Sequence, residues 1–189
     1  MKKIDNKQFY KKAYEKYGIS SKGVHWGSKN RQYLRFEILT DLIKKDLHES
    51  TIIDVGCGFG DYLNYIEKDQ IKIKSYLGID CEGFMINLCN KKHSKHNFER
   101  IDILKDNIPN YDYLICSGAL NILSKIEFYK AIENCFNAAK KGFAFNFLTK
   151  DSFNTPTKIE VINFCENVTS NITLKDNYLE NDCSILLTK

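Results

Sequence analysis

The sequence predicts an α/β protein with a seven-stranded, mostly parallel, doubly wound sheet. Three observations carry this prediction: short β-branched runs alternate with helical segments from residue 51 onward, a glycine-rich turn joins the first run to its helix, and the last two runs have no helix between them. Parallel neighbours need a crossover connection, which the intervening helices supply. The last two runs are therefore expected to form an antiparallel C-terminal hairpin at one edge of the sheet.

The individual elements follow from the spacing of the apolar residues. Residues 7–17 and 31–47 have helical spacing and precede the sheet, with a loop over 18–30 between them. The predicted strands are 51–55, 75–80, 98–102, 111–117, 142–148, 171–175 and 183–188, and the helices among them are 59–68, 83–92, 125–139 and 158–166. We expect residues 1–47 to form an N-terminal helical cap and residues 48–189 to form the sheet domain, together one structural unit.

The composition limits the class of protein. A chain of 189 residues with 43% hydrophobic and 28% charged residues corresponds to one ordinary globular domain. No apolar run is long enough for a membrane span, and the first residues lack the apolar core of a secretory signal. A cytoplasmic protein without membrane association is expected.

The charged residues and the cysteines argue against a nucleic-acid reader and against a metal-binding protein. The cations behind the net charge of +4 are lysines except for Arg31, Arg35 and Arg100, which disfavours a dedicated nucleic-acid reader. The seven cysteines are odd in number and none has C-x2-C spacing. We interpret them as reduced, mostly buried thiols and expect no metal site.

A glycine-rich turn closes the first predicted strand. The run Asp54-Val55-Gly56-Cys57-Gly58-Phe59-Gly60 ends a strand and opens a helix, so that backbone N–H groups can approach a ligand closely. The dinucleotide fingerprint requires glycine or alanine where this chain has Asp61, and no G-K-[ST] follows. The turn therefore favours a ligand without a pyrophosphate.

Two further aspartates end the next two predicted strands. Asp80 lies where a carboxylate can accept hydrogen bonds from both ribose hydroxyls of a nucleoside. Asp102 is followed by Ile103 and Leu104, so its carboxylate can accept from an adenine amino group while apolar neighbours cover the ring. Each aspartate alone could be a solvated acid at a strand end, but three such acids on successive strands favour a nucleoside site.

At this point the chain resembles the class I S-adenosylmethionine-dependent methyltransferases, over residues 51–189. The resemblance implies a Rossmann-like methyltransferase fold, S-adenosyl-L-methionine as cofactor and S-adenosyl-L-homocysteine as product. It implies that the glycine turn cradles the methionine part, that Asp80 and Asp102 bind ribose and adenine, and that Tyr111–Gly118 lies beside the transferable methyl. The implied cofactor-binding residues are Asp54, Gly56, Cys57, Gly58, Gly60, Asp80, Cys81, Met85, Asp102, Ile103, Leu104, Ser117 and Gly118.

The segment before the sheet adds a second resemblance. Trp26-Gly27-Ser28 followed by Arg35-Phe36 is similar to the W-G-S and R-F pattern of a bacterial subgroup of small-molecule enzymes, and implies that the N-terminal helices fold over the cofactor. Arg35 or Arg31 could hold the cofactor's carboxylate through a bidentate pair, although each could also lie on a solvated helix face. Tyr10, Trp26 and Arg31 are the candidate substrate contacts, with a core position as the alternative for Trp26.

Two residues are candidates for catalysis. His25 is the one histidine expected on the ligand-binding rim, because His48, His93 and His96 lie in segments that run from a helix into the next strand. It could act as a base toward a hydroxyl acceptor, or it could only pack the N-terminal loop. Asn121 could orient the acceptor with its amide, or it could cap the next helix.

The absent motifs narrow the acceptor. No N-P-P-[YF] and no Pro-Cys pair follows the fourth strand, which disfavours amino methylation of bases and covalent cytosine methylation. We therefore expect transfer to O or N of a small molecule, sugar or metabolite by a monomer or homodimer. The alternatives are a non-enzymatic S-adenosylmethionine-binding regulator and an RNA-directed methyltransferase.

Overall fold

A computed structural model of the chain describes residues 6–18, 23, 28–150 and 156–189. The strands are β1 (Thr51–Val55), β2 (Ser75–Asp80), β3 (Asn97–Arg100), β4 (Tyr111–Ser117), β5 (Ala139–Leu148), β6 (Ile172–Asp176) and β7 (Asp182–Thr188). The helices are α1 (Asn6–Tyr17), α2 (Lys29–Ile43), α3 (Asp61–Lys68), α4 (Gly83–Lys92), α5 (Lys125–Ala138) and α6 (Lys158–Val168).

The strands form one sheet in the order β3-β2-β1-β4-β5-β7-β6. The pairs from β3 to β5 are parallel, whereas β7 is antiparallel to both β5 and β6. The predicted fold class and the antiparallel C-terminal hairpin are confirmed. Because β1 lies between β2 and β4, the strand order reverses there, and the carboxyl ends of β1 and β4 mark the crevice where such sheets bind ligands.

Helices cover both faces of the sheet. Side chains of α2, α3 and α4 pack with Ile52 and Ile115 on one face. Side chains of α5 and α6 pack with Ile53 and Leu114 on the other. Successive strand residues point to opposite faces, so each buried strand contributes to both apolar layers. Among the described helices, none is long and apolar enough to cross a membrane.

Side-chain caps fix where three helices begin. Ser28 accepts a hydrogen bond from the Arg31 backbone at the start of α2, and Ser124 and Thr157 form capping boxes at α5 and α6. The predicted helix 31–47 ends earlier, since α2 stops at Ile43 and a 3-10 segment follows to Glu49. Asp46 interrupts that segment with a φ of −133°.

The seven cysteines are free thiols, as expected. All except Cys81 are buried. Their burial places six small apolar side chains in the two core layers. No cluster of metal-binding side chains occurs within the described ranges.

Candidate active site

The glycine turn between β1 and α3 is pinned to its neighbours by backbone hydrogen bonds. The N–H groups of Gly56 and Cys57 donate to Ile79 O at 2.8 and 3.0 Å. Gly56 and Gly60 have φ values of 70° and 75°, which favour glycine. A Cβ on Gly56 would lie 2.3 Å from the Cβ of Ala119, so any larger residue would collide with the segment after β4. The turn therefore lies directly against the end of β4.

A cavity opens at this point, between α2, the glycine turn and the carboxyl end of β4. The lining residues are Gln32, Phe36, Asp54, Gly56, Cys57, Gly58, Phe59, Asp61, Tyr62 and Ser117. The sequence predicted five of these as cofactor-binding residues and missed Gln32, Phe36, Phe59, Asp61 and Tyr62. The amide of Gln32 donates to Asp61 Oδ2 at 3.1 Å, which ties α2 to the start of α3.

Asp54 is the buried acid of the cavity. Its carboxyl is 3% exposed and accepts a hydrogen bond of 2.7 Å from the Tyr76 hydroxyl. Burial raises the pKa of Asp54 to about 7, although the Tyr76 hydrogen bond acts in the opposite direction. Near neutral pH this group can therefore take up or release a proton, and a cationic ligand group would favour its charged form.

Asp80 links the glycine turn to the segment after β2. Its two carboxylate oxygens accept from the backbone N–H groups of Gly58 at 3.1 Å and Glu82 at 2.8 Å. Burial raises the pKa of Asp80 to about 6, and these two hydrogen bonds lower it in part. Each oxygen retains a further lone pair for a ligand hydroxyl. The predicted ribose contact stays a prediction that this geometry allows.

Asp102 lies two residues beyond the end of β3, which stops at Arg100 rather than at the predicted residue 102. The carboxylate accepts from Lys105 Nζ at 2.5 Å and from the backbone of Leu104 at 3.0 Å. Burial raises its pKa, but the Lys105 and Leu104 hydrogen bonds outweigh burial and the pKa is lowered overall. Ile103 and Leu104 pack against the core, and the adenine contact of this segment stays a prediction.

Three other predicted cofactor contacts differ in exposure. The side chains of Cys57 and Met85 are buried, at 6% and 1% exposed, whereas Cys81 is exposed. Burial raises the pKa of the Cys57 thiol well above its usual value, so this thiol stays protonated. The Cys89 thiol on α4 donates to Gly58 O at 3.2 Å and so links this helix to the turn.

Arg35 has a partner that the sequence did not indicate. Its Nε and Nη2 donate to the two carboxylate oxygens of Asp182 at 2.5 and 2.7 Å, and both residues are buried. This pair occupies one bidentate edge of the guanidinium and ties α2 to β7, and the role of Arg35 in holding the cofactor's carboxylate stays a prediction. Arg31, the alternative, is exposed on the first turn of α2.

The end of β4 brings two predicted residues together with β5. Ser117 Oγ lies on the cavity wall and is buried without a hydrogen-bond partner in the described part of the chain. Asn121 Oδ1 accepts from the backbone of Leu148 at 3.0 Å and so joins the segment after β4 to the end of β5. Asn121 thus has a structural role in addition to the acceptor-orienting role predicted for it. Gly118 between them has a φ of 81°.

Most predicted contacts of the N-terminal segment lie outside the residues that the structure describes. His25 and Trp26 lie outside the described residues, and Tyr10 lies on α1 without a described side chain. The next aromatic residue of α1, Tyr14, packs on Phe59 of the glycine turn and on Phe84 of α4, with ring centroids 5.7 and 5.9 Å apart. Helix α1 therefore contacts the turn, and its role as a cap stays a prediction.

His93 departs from the expected arrangement of histidines. It follows α4, and the sequence places it on the rim opposite the site. In the structure its Nε2 lies 3.1 Å from where a Cβ on Gly60 would be, so the ring packs behind the glycine turn. Burial lowers the pKa of His93, which favours the neutral ring.

The site residues fit an S-adenosylmethionine molecule on two structural observations. Gly56 and Gly58 line the cavity without side chains, so a ligand there can approach the backbone of the turn closely. Beside it are two acids for ammonium and hydroxyl donors, the buried Asp54 and the half-buried Asp80. No group on the described cavity wall resembles a phosphate-binding lysine, and Asp61 opposes an anion at the start of α3.

Comparison with known proteins points to methyltransferases. Residues 53–142 match the family model described as "Methyltransferase domain". "Putative methyltransferase 235L" of Invertebrate iridescent virus 6 is 32% identical over 127 residues, which cover 65% of this chain and 47% of that protein. The tRNA N(3)-methylcytidine methyltransferase trm140 of Schizosaccharomyces pombe is 28% identical over 155 residues, which cover 79% of this chain and 46% of that protein.

Solved structures share the fold. The crystal structure of magnesium protoporphyrin IX methyltransferase from Synechocystis PCC 6803 with bound SAM has a TM-score of 0.72 at 15% identity and covers 98% of each chain. The chain thus has a Rossmann-like fold in which residues 53–142 match a methyltransferase domain, and S-adenosyl-L-methionine is the cofactor of this class. It spans about half the length of the two curated relatives. The bacterial small-molecule subgroup stays a prediction.

Proposed function

We propose that the chain is an S-adenosylmethionine-dependent methyltransferase that acts on nitrogen or oxygen of a small-molecule acceptor. The observation that carries the proposal is the cavity at the strand-order reversal, which is lined by the glycine turn, Asp54 and Ser117. Aromatic side chains of Phe36, Phe59 and Tyr62 on the cavity wall suit a compact acceptor group next to the cofactor. The family match over residues 53–142 supports the reaction class.

The protein's contribution is to bind, orient and exclude water. When bound, S-adenosylmethionine supplies an electrophilic methyl group on a sulfonium, whose C–S bond breaks as the bond to the acceptor forms. Asp54 would accept from the ammonium of the methionine part, and Asp80 would accept from ribose hydroxyls. Phe36, Phe59 and Tyr62 supply apolar wall that keeps water from the reacting centre.

An acceptor that loses a proton on methylation needs a destination for that proton. His25 is the proposed base for a hydroxyl acceptor, and the Asn121 amide is proposed to orient the acceptor. Asn121 retains its Nδ2 for this role, since the hydrogen bond to the Leu148 backbone uses Oδ1. Tyr10, Trp26 and Arg31 are proposed contacts to the acceptor.

One observation favours a second candidate, an RNA-directed methyltransferase. A relative that matches over 79% of this chain is a tRNA N(3)-methylcytidine methyltransferase. The net charge of +4 with 28 lysines and arginines is compatible with a phosphate backbone. The chain has only three arginines, the residue type that reads bases and phosphates through its planar fork, which favours the small-molecule acceptor.

Methyl transfer from tritium-labelled S-adenosylmethionine tests these candidates. The purified chain is incubated with a low-molecular-mass metabolite fraction, with total tRNA, or with neither, and Asp80→Ala serves as the cofactor-site control. Label in the metabolite fraction that the variant fails to transfer supports the proposal. Label in tRNA with an activity that falls steeply with salt supports the second candidate. Cofactor binding without label in either fraction would indicate the regulator instead.

A further inference from the structure

A row of polar side chains crosses the sheet on the face that α2 covers. Ser117 of β4, Asn146 of β5 and Ser184 of β7 are register partners, so their side chains share one face. The next row on this face, toward the opposite rim, is apolar and consists of Ile115, Ala144 and Leu186. The face therefore changes from apolar to polar where it meets the cavity.

Asn146 is fully buried, and its neighbours fix the orientation of its amide. Nδ2 lies 3.3 Å from Asp182 Oδ1, and the same carboxylate is held by Arg35. Because a carboxylate paired with arginine only accepts hydrogen bonds, the amide must turn its NH2 toward Asp182. Oδ1 of Asn146 consequently faces away from Asp182, and in the described part of the chain no group donates to it.

The three members of the row differ in how their polar atoms are satisfied. Ser184, the outer one, shares a hydrogen bond of 2.8 Å with the Tyr178 hydroxyl. Ser117 Oγ and Asn146 Oδ1 are buried and lack a partner among the described residues, and Ser117 also lines the cavity. Folded proteins leave few buried polar atoms unpaired. Ser117 Oγ lies on the cavity wall, and Asn146 is its register partner on the neighbouring strand, so the two atoms point to a ligand that reaches past Ser117 and pairs with both.

We propose that Asn146 Oδ1 and Ser117 Oγ bind an N–H or O–H group of the methyl acceptor, an inference that rests on the proposed function. An amide oxygen can only accept, so the ligand group must donate, while the serine hydroxyl can adapt to either role. Asp54 and Asp61 on the cavity wall oppose an anion, whereas the charge of Asp182 is already balanced by Arg35. The acceptor class is therefore an amine, amide or alcohol, and carboxylates are excluded.

Three planar probes test this chemistry, because Phe36, Phe59 and Tyr62 line the cavity with aromatic rings. Benzamide offers N–H donors, N,N-dimethylbenzamide has none, and benzoate replaces them with a carboxylate. Their binding to the full chain saturated with S-adenosylhomocysteine is measured by ligand-observed NMR titration. The variants are Asn146→Leu and Ser117→Ala, and Ser184→Ala is the matched control because its hydroxyl is already paired.

The expected result is that benzamide binds the wild type roughly tenfold more tightly than either other probe, the size expected for one hydrogen-bonding contact. Asn146→Leu and Ser117→Ala should lose this preference, and Ser184→Ala should keep it. If Asn146→Leu fails to fold, Ser117→Ala, which only removes a hydroxyl, decides alone. Equal binding of the three probes, or no binding of benzamide, overturns the inference.

Calorimetry with S-adenosylhomocysteine on the same samples separates this inference from the proposed function. If S-adenosylhomocysteine binds no form of the chain, the proposed function fails. If it binds the wild type normally but benzamide is not preferred, only the inference fails. If Asn146→Leu weakens the binding of S-adenosylhomocysteine as much as the binding of benzamide, the partner of Asn146 Oδ1 is the cofactor. This result also overturns the inference.

Discussion

Arg35 on α2 and Asp182 on β7 form a buried bidentate ion pair, although 147 positions separate them in the chain. Asp182 also accepts from Asn146, so one carboxylate holds a helix and two neighbouring strands in place. The pair lies beside the polar row at the carboxyl end of the sheet. It thereby fixes how α2, which supplies Gln32 and Phe36, lies along one wall of the cavity.

Removing one member of this pair should destabilise the fold strongly. Arg35→Met should lower the free energy of unfolding by about 3–5 kcal/mol, because Asp182 would remain as an uncompensated buried charge. Arg31→Met, an exposed position on the same helix, should change it by less than about 0.5 kcal/mol. Urea unfolding followed by circular dichroism measures both. A loss below about 1 kcal/mol in Arg35→Met would contradict the structural role.

The stability of the ligand-free protein should fall as the pH rises through the range in which Asp54 titrates. Its folded-state pKa of about 7 lies above that of an unfolded aspartate, so the folded chain binds the proton more tightly between these values. The protonated group's contribution is complete below about pH 4 and is lost as the pH rises toward 7. Asp80, with a folded pKa of about 6, acts in the same direction.

Asp54→Asn isolates the contribution of Asp54, because asparagine keeps the shape without the charge. The variant should be more stable than the wild type above pH 7, by about 2–4 kcal/mol, and the advantage should shrink as the pH falls toward 4. Unfolding in urea at pH 4.5, 5.5, 6.5 and 7.5 gives the difference curve. A difference that does not change with pH would show that Asp54 is charged in the folded protein.

Asp80→Ala should weaken binding of S-adenosylmethionine by about 1.5–3 kcal/mol, the usual range for hydrogen bonds to a charged group. The structure adds a second cause, because the variant also frees the Gly58 and Glu82 backbone N–H groups that position the turn. Glu99→Ala, exposed on β3, is the control. Calorimetry gives the dissociation constants. An unchanged dissociation constant for Asp80→Ala would show that Asp80 does not bind the ribose.

S-adenosylmethionine and S-adenosylhomocysteine should raise the melting temperature, and NAD should not. Asp61 stands where a dinucleotide turn has its third glycine, and its carboxylate is fixed near the start of α3 by Gln32. A pyrophosphate at that helix end would meet a negative charge in place of free N–H groups. The melting temperature is measured with each ligand. Stabilisation by NAD alone would refute the inference that this glycine turn binds S-adenosylmethionine.

The local elements were predictable because they depend on local patterns. Strand β1 over residues 51–55 and helix α4 over 83–92 occur where apolar spacing and the glycine turn placed them. The end of β3 was not predictable, because the residues up to Asp102 have a strand-like pattern. In the structure Asp102 lies in a loop and accepts a hydrogen bond from Lys105. The seven strands and the final hairpin followed from the order of the elements alone.

Side-chain partners across the sheet lay beyond the sequence. Nothing local indicates that Arg35 meets Asp182, because that contact exists only after β7 inserts beside β5. One signal was available for Asn146: it interrupts the aromatic run Phe143-Ala144-Phe145-Asn146-Phe147 at a position that burial on both faces would assign to an apolar residue. A polar residue inside such a strand indicates a functional contact.

The N-terminal helix should contribute to cofactor binding through Tyr14. Its ring packs between Phe59 in the glycine turn and Phe84 at the start of α4, so it covers the gap between the turn and the segment after β2. The sequence predicts that residues 1–30 cover the site, since they have too little apolar periodicity for a core of their own and an open rim would admit water. Tyr14→Ala should therefore weaken S-adenosylhomocysteine binding roughly tenfold, because the site then opens to solvent.

Tyr17→Ala is the matched control, since Tyr17 lies one turn further along α1 and is 43% exposed. It should leave the dissociation constant within about twofold of the wild type. Deleting residues 1–27 is the larger version of the test and keeps Ser28, which caps α2. The shortened chain should fold, bind the cofactor weakly and lose turnover. Full affinity and full activity in that chain would move the acceptor site to the segments after Gly118 and Leu148.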